Sequence, residues 1–460
     1  METPLDTLLP HIAQLRDTFA SGKTTALAWR REQIQGIIRL HQQEERRILD
    51  AFAQDMRKPA LEGWVSEIQL LIVEAEHVLK SLGRWTRPER VKLNLANQPG
   101  RAWIQRQPLG SVLVIGPWNY PWQLVVMPAL SAIAAGNTVM LKPSEHAPAT
   151  AALMAELIPK YLDPEAVKVA TGGIAHSTAL LAERWDHIFF TGGGEVGRVV
   201  MAAAAKHLCP VTLELGGKSP AFIHKSANLE VSARRILWGK FFNNGQTCIA
   251  PDYLLVHREV EAPFLEALQR TLVQLYGEDP AVSPDLTRVI NARHFDRLVG
   301  YLSDGDVLSG GVHDRDSLYL APTLLTGVSP EAPVMQEEIF GPILPILTVS
   351  GADEATRFIN GRDKPLALYV FAEDGGIPDR ILARTTSGGA CVNDVLTHLT
   401  VPELPFGGVG PSGMGAYHGR AGFETFSHRR SVLHKSTWMD PMFRYPPYTE
   451  SAFTWMRRLL

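Results

Sequence analysis

His187-Ile188-Phe189-Phe190-Thr191-Gly192-Gly193-Gly194-Glu195-Val196-Gly197 is a short apolar run, a glycine cluster and the start of a helical stretch over about 195–207. Gly192, Gly194 and Gly197 satisfy the G-x-G-x-x-G spacing, in which glycines let backbone N–H groups approach a pyrophosphate at a helix N-terminus. Working outward, the runs Ser111–Ile115, Thr138–Leu141, Val167–Ala170, His187–Phe190 and Val211–Leu213 read as strands. Helical spacing fills the gaps at about 121–135, 147–161, 175–183 and 195–207. Such alternation implies a parallel sheet covered on both faces, which binds ligands beyond the carboxyl ends of its strands. Asn119, Lys142 and the glycines after Phe190 fall there.

The pattern repeats further on. Ala221–His224, a helix over 228–242, Tyr253–His257, a helix over 259–276, and strands near Ile343–Val349 and Leu366–Phe371 around a helix at 352–360 predict a second α/β unit. Residues 3–81 predict helices, with apolar positions Leu8, Ile12, Leu15 and Phe19, then Ile34, Ile37 and Ile38, then Val65, Ile68, Leu71 and Ile72. Trp85, Pro88, Pro99 and Gly100 break this regularity over 82–105. Gly407 to Gly415 predicts a flexible or tightly turning return path.

Composition narrows the classes. A chain of 460 residues exceeds the size at which one core keeps growing, so two or three domains are expected. A net charge of −3 leaves no basic footprint for nucleic acid. Three cysteines without metal-finger spacing argue for a reducing, cytoplasmic setting without a disulfide framework or metal. Residues 107–141 carry no charge until Lys142, but Pro108, Pro117, Pro121, Pro128, Gly116, Gly136, Asn119 and Asn137 interrupt them, so they read as buried strand, loop and helix rather than a transmembrane segment. The tail predicts no span either, only a weak peripheral membrane contact through Trp455, Met456, Leu459, Leu460 and Arg457-Arg458.

Three longer motifs carry chemistry. Phe242-Asn243-Asn244-Gly245-Gln246-Thr247-Cys248 places one thiol on an uncharged, glycine-broken loop after a helix; a cysteine taken alone is more often a small buried hydrophobe. Leu213-Glu214-Leu215-Gly216-Gly217-Lys218-Ser219-Pro220 lies upstream and Glu337-Glu338-Ile339-Phe340-Gly341-Pro342 downstream. In order and spacing they resemble the nucleophile, general-base and cofactor segments of the NAD(P)-dependent aldehyde dehydrogenases. Gly239-Lys240-Phe241, Ala250-Pro251-Asp252-Tyr253 and Glu424 to Arg430 are most similar to the class-three branch, whose range is fatty and aromatic aldehydes.

The resemblance implies a Rossmann-type cofactor domain, a catalytic domain and a small β extension for oligomerisation. It assigns 1–81 and 106–212 to the first, 213–408 to the second, 82–105 and 409–435 to bridging segments, and 436–460 to a tail. It gives catalysis to Cys248, Glu214 and Asn119, the last from Gly116-Pro117-Trp118-Asn119-Tyr120-Pro121-Trp122. It gives NAD, with NADP also accepted, to Trp118, Lys142, Glu145, Gly192, Gly193, Gly197, Glu338 and Phe340. Glu145 could accept both ribose hydroxyls and would repel a 2′-phosphate. Glu214 follows the glycines at the spacing where an ordinary Rossmann fingerprint places its ribose acid, yet the resemblance makes it the base. Gly193 departs from the family, which often has serine there. Tyr120, Trp238 and Phe242 either line an aromatic tunnel or are plain core. Cys209 and Cys391 read as buried apolar filler, and Glu337 as solvated.

The implied enzyme is a homodimer acting on a small-molecule aldehyde. It oxidises medium- or long-chain aliphatic or aromatic aldehydes to acids through a cysteine thioester. A CoA-acylating dehydrogenase and a non-catalytic cofactor-binding protein are the alternatives.

Overall fold

The structure is a computed structural model describing residues 2–459, with the side chain of Leu459 excepted. Its first sheet runs Gly413–Met414, Val211–Glu214, His187–Thr191, Ser111–Ile115, Thr138–Lys142, Val167–Val169, parallel except for the first pairing. Every residue of Ser111–Ile115, Thr138–Lys142 and His187–Thr191 is buried, as expected of strands covered on both faces. The uncharged stretch is explained by the helix Gln123–Ala135, buried along its whole length. No helix among the described residues is long and apolar enough to cross a membrane.

Ser111–Ile115 is flanked by Thr138–Lys142 on one side and His187–Thr191 on the other. The order reverses there, so the loops after Ile115 and Thr191 face one crevice. The second sheet runs Asp306–Ser309, Thr323–Thr326, Ile343–Val349, Tyr253–His257, Pro220–Ile223, Ala367–Phe371, Gly389–Val392, parallel except at the first edge. Residues 215–219 join the two sheets. The break expected between 212 and 213 therefore falls inside a strand.

A third, antiparallel sheet joins Glu89–Val91, Gly100–Pro108 and Ser427–Lys435. Its middle strand continues to Pro108, past the expected limit of 105. The glycine-rich segment turns tightly: Gly413–Met414 pairs with Leu213–Glu214 before the chain reaches the third sheet. One helical expectation fails locally. Trp64–Gln69 is a π turn between two α-helical segments, so the 3.6 spacing lapses and Val65 swings out to 43% exposure while Ile68 and Leu71 stay buried.

Candidate active site

Cys248 follows a turn in which Asn243, Asn244 and Gly245 all have positive φ, of 51°, 56° and 73°. Asparagine tolerates that conformation better than most residues. Gly245 is obligatory, because a Cβ there would lie 2.2 Å from the Gly341 carbonyl oxygen. The turn is laced to the loop after Ile115: Asn243 Nδ2 donates to the Asn119 carbonyl at 2.9 Å, and Asn119 Nδ2 donates to the Gln246 carbonyl at 3.0 Å. Tyr120 Oη lies 2.6 Å from Thr247 Oγ1. Asn119 is thereby fixed with one amide proton engaged and a second one free to donate.

Two cavities meet at Cys248. One, of about 110 Å³, is lined by Val65, Tyr120, Leu124, Trp238, Phe242 and Leu399 among others. The other, of about 360 Å³, is lined by Trp118, Asn119, Gly192, Gly193, Glu214, Glu338 and Phe340. Trp238 and Phe242 meet edge to face at 5.4 Å, and Trp118 meets Phe340 the same way at 5.3 Å. Both the tunnel aromatics and most of the proposed cofactor residues are thus brought to the same thiol.

Glu214 ends its strand at the cleft, and its backbone oxygen accepts from Gly192 N–H at 3.0 Å. Its side chain is buried, and neither carboxyl oxygen has a hydrogen-bond partner. Burial holds this carboxyl well above the usual carboxylate range. Burial also pushes the Cys248 thiol up, and the charges of Glu338 and Glu214 add to it, while the N–H groups of Cys248 and Ile249 pull the other way. Burial raises Glu338 to about 8, with Asp252 adding to the effect. The cleft therefore resists carrying several negative charges at once.

The fit to a dinucleotide rests on these residues. Glu338 Oε1 is buried and unpartnered, and a Cβ at Gly216 would lie 2.1 Å from Glu338 Oε2, so glycine lets that carboxylate reach the cleft. Gly193 caps the helix Gly194–Ala205 without any side-chain bond, leaving its N-terminal N–H groups uncovered by a cap.

Three expected residues are not brought into the cleft. Lys142 is buried, with Nζ donating to the Pro143 carbonyl at 2.8 Å and 3.5 Å from Glu145; neither lines the cavity at Cys248. Gly197 instead allows close helix packing, since a Cβ there would lie 2.9 Å from Leu215. Cys391 is buried, with Sγ 3.2 Å from His398 Nδ1. Cys209 is a correction: it is partly exposed, because it lies in the connection between the helix Gly194–Ala205 and the strand Val211–Glu214 rather than inside either element. Glu337 is exposed and accepts from Tyr301 Oη at 3.3 Å.

Several contributors were not visible in the motifs. His294 and Arg297 line the polar cleft, beside Glu195 of the glycine segment, and Tyr417 and His418 line the apolar one. Tyr369, whose hydroxyl donates to the Ile249 carbonyl at 2.6 Å, braces the residue after the thiol. A buried tyrosine at strand spacing signals core packing, so nothing in the sequence marks it for this task.

Comparison with known proteins settles the family. Residues 11–432 match the sequence profile of the Aldehyde dehydrogenase family. The chain belongs to the aldehyde dehydrogenase family. It is 47% identical over 447 residues to rat "Aldehyde dehydrogenase family 3 member B1", covering 97% of this chain and 96% of that one. It is 48% identical to mouse "Aldehyde dehydrogenase, dimeric NADP-preferring", covering 95% and 97%. Among solved structures, "Substrate bound state of Staphylococcus Aureus AldH" superposes with a TM-score of 0.95 at 41% identity, covering 98% and 99%. These relatives agree with the class-three resemblance. The reaction class of this aldehyde dehydrogenase is NAD(P)-dependent oxidation of an aldehyde to a carboxylic acid.

Proposed function

We propose that Cys248 is the nucleophile, Glu214 the hydrolytic base and Asn119 the oxyanion donor in oxidation of medium- or long-chain aliphatic or aromatic aldehydes. One observation carries this reading: the Cys248 thiol stands where an apolar funnel opens into a polar cleft. An apolar aldehyde enters along Trp238 and Phe242 and presents its carbonyl to the sulfur. As thiolate, Cys248 forms the C–S bond. The oxygen that becomes negative is met by the free Asn119 amide proton and the Cys248 backbone N–H, a contribution of about 3 kcal/mol.

NAD(P)⁺, when bound, would supply the hydride acceptor that thioester formation requires. Glu338 would hold the nicotinamide ribose, with Trp118 and Phe340 walling the ring and Gly192 and Gly193 under the phosphates. Lys142 and Glu145 would take the adenosine ribose outside the cleft. Glu214 then accepts a proton from water, whose oxygen attacks the thioester carbon and expels the sulfur. A carboxyl held high by burial suits that task once the thiol has become a neutral thioester. Glu214 also disfavours acyl transfer to CoA, which needs no hydrolytic base.

The cofactor reading is NAD with NADP also accepted, and the assembly a homodimer formed through the extension sheet. The setting is cytoplasmic, with weak peripheral membrane contact through the helix Glu450–Leu459. Phe453 and Trp455 are 58% and 55% exposed on that helix beside Arg457 and Arg458. Leu460 and the side chain of Leu459 lie outside the described residues.

The decisive experiment is Cys248→Ala in the full chain. Reduced-cofactor formation from decanal and benzaldehyde is expected to vanish while NAD still quenches protein fluorescence. Retained turnover sinks the mechanism. Retained binding with a wild-type enzyme that is silent across aldehydes favours the non-catalytic reading, and turnover only with CoA favours the acylating one.

A further inference from the structure

Two carboxylates five residues apart on one N-terminal helix reach two different catalytic loops. Glu62 Oε2 accepts the Asn243 backbone N–H at 3.1 Å and the Thr287 hydroxyl at 3.3 Å. Glu67 Oε2 accepts the Trp122 N–H at 2.9 Å, and its Oε1 pairs with Lys58. Lys58 Nζ in turn donates to the Asn119 carbonyl at 2.9 Å and sits 4.3 Å from the Tyr120 ring centre. On a regular α-helix, residues five apart point about 140° away from each other. The π turn Trp64–Gln69, with its i→i+5 hydrogen bonds, follows the segment Ala60–Gly63 that carries Glu62 and itself contains Glu67, and its wider winding reduces that divergence.

The contact at Asn243 falls on the weakest link of the nucleophile loop. Three successive left-handed residues are conformationally costly, and such a turn persists only where its surroundings hold it. Asn243 opens the turn, and its N–H is secured by Glu62. On the far side, Gln246 Nε2 donates to the Arg288 carbonyl at 3.0 Å, and Ile290 N–H donates to Gln246 Oε1 at 3.0 Å. Thr287, the second partner of Glu62, begins that same bracket. Glu62 thus ties both ends of the turn that presents Cys248.

We propose that Glu62 is a positioning residue for Cys248, holding the Asn243–Gly245 turn so that the thiol stays at the junction of the two cavities. The proposal rests on reading Cys248 as the nucleophile. Glu62 touches neither cavity, so it acts through the turn alone. Its loss slows thioester formation and leaves the cofactor surface as it was.

The test uses full-length Glu62→Met, Glu62→Asp and Glu62→Gln. Readouts are the rate of Cys248 alkylation by iodoacetamide located by mass spectrometry, the burst rate of reduced cofactor, and NAD affinity. Glu62→Met removes the acceptor, and Glu62→Asp withdraws it by one methylene while keeping the charge. Both are expected to slow alkylation and burst about tenfold with NAD affinity and aldehyde KM unchanged. Glu62→Gln keeps one acceptor oxygen and is expected to retain most of both rates. If Glu62→Met does not fold, Glu62→Asp decides. Wild-type alkylation and burst rates in either folded variant overturn the proposal. A dead Cys248→Ala beside a fully active Glu62→Asp removes this inference alone, whereas an active Cys248→Ala removes the nucleophile reading beneath it.

Discussion

The two cavities at Cys248 are built on opposite terms. The funnel is small and walled by aromatic and aliphatic side chains, with Val65 and Trp238 exposed near its mouth. The cleft is roomier and walled by glycines, two buried carboxyls, His294 and Arg297. Yet both push the thiol the same way, the funnel by desolvation and the cleft by like charge. Among the described residues no imidazole offsets this at Cys248, whereas Cys391 has His398 beside it and lines neither cavity. If Cys248 is the nucleophile, as proposed, its activation rests on backbone N–H groups and placement more than on an ion pair, which makes the geometry of the turn decisive.

The largest effect should come from the polar side. Glu214→Gln keeps the shape but cannot take a proton from water. Steady-state acid release should fall about 10²–10³-fold, with a burst of reduced cofactor near one per active site surviving. Equal loss of burst and steady state would break the division of labour between the two cavities. On the apolar side, Leu399→Asp places a charge in the funnel wall at a position that does not line the cleft. Longer chains should lose most, since each buried methylene is worth about 0.8 kcal/mol. The rise in kcat/KM from acetaldehyde to decanal should flatten while NAD affinity stays the same. A uniform loss across chain lengths would show that the funnel does not bind the chain.

That contrast also marks what the chain discloses in one dimension. The central strands were legible because double-sided burial demands continuous apolar runs, as in Ser111-Val112-Leu113-Val114-Ile115. Cys248, Glu214 and Glu338 stood out because each sits in a long local motif. The strands between 306 and 326 were not legible, being two to four residues long, too short for any period to emerge. Ser427–Lys435 was hidden by its polar, exposed residues, since it forms an edge rather than a core. Glu62, Tyr369 and Lys58 act through partners 181, 120 and 61 residues away, which no local pattern encodes.

Ionisable groups shifted by burial, Glu338 and His294 of the cleft among them, also set a smaller, pH-dependent effect. Burial raises Glu62 and Glu74 to about 7 and Glu338 to about 8, from 4.5. Burial lowers His41, His187, His294 and His398 to about 4 and His418 to about 3, from 6.5. A raised carboxyl stabilises the fold below 4.5 and loses that contribution as pH climbs to its folded value. A lowered histidine costs stability as pH drops below 6.5, because the unfolded chain takes the proton first. The two sets oppose each other between 4.5 and 6.5. Above 6.5 the raised carboxyls still titrate, and from about pH 8 Lys240, lowered by burial from 10.5 to about 8, acts in the opposite sense, so Tm should fall from pH 6.5 to 8. Glu338→Gln should remove the part of that fall between 7 and 8. A Tm that rises over this window would contradict the buried, unpartnered state of the cleft carboxyls.

The smallest effect concerns the one glycine where this chain departs from its family pattern. Gly193 has φ −73° and ψ 150°, open to any residue, and a Cβ there would meet nothing within 4 Å. Serine therefore fits without moving a neighbour. It stands at the cap of a twelve-residue helix, where its hydroxyl can either accept a first-turn N–H or donate to a phosphate. With dinucleotide bound, the phosphate is the stronger partner, because a charged acceptor makes the better hydrogen bond. Gly193→Ser should tighten NAD about threefold, the scale of a fraction of one such bond, and leave decanal KM alone. An unchanged NAD affinity with a raised Tm would mean the hydroxyl had turned to the helix instead. The phosphates would then be held by backbone N–H groups alone, and the cleft would owe its affinity to Glu338 and the glycine turn rather than to any side chain at this cap.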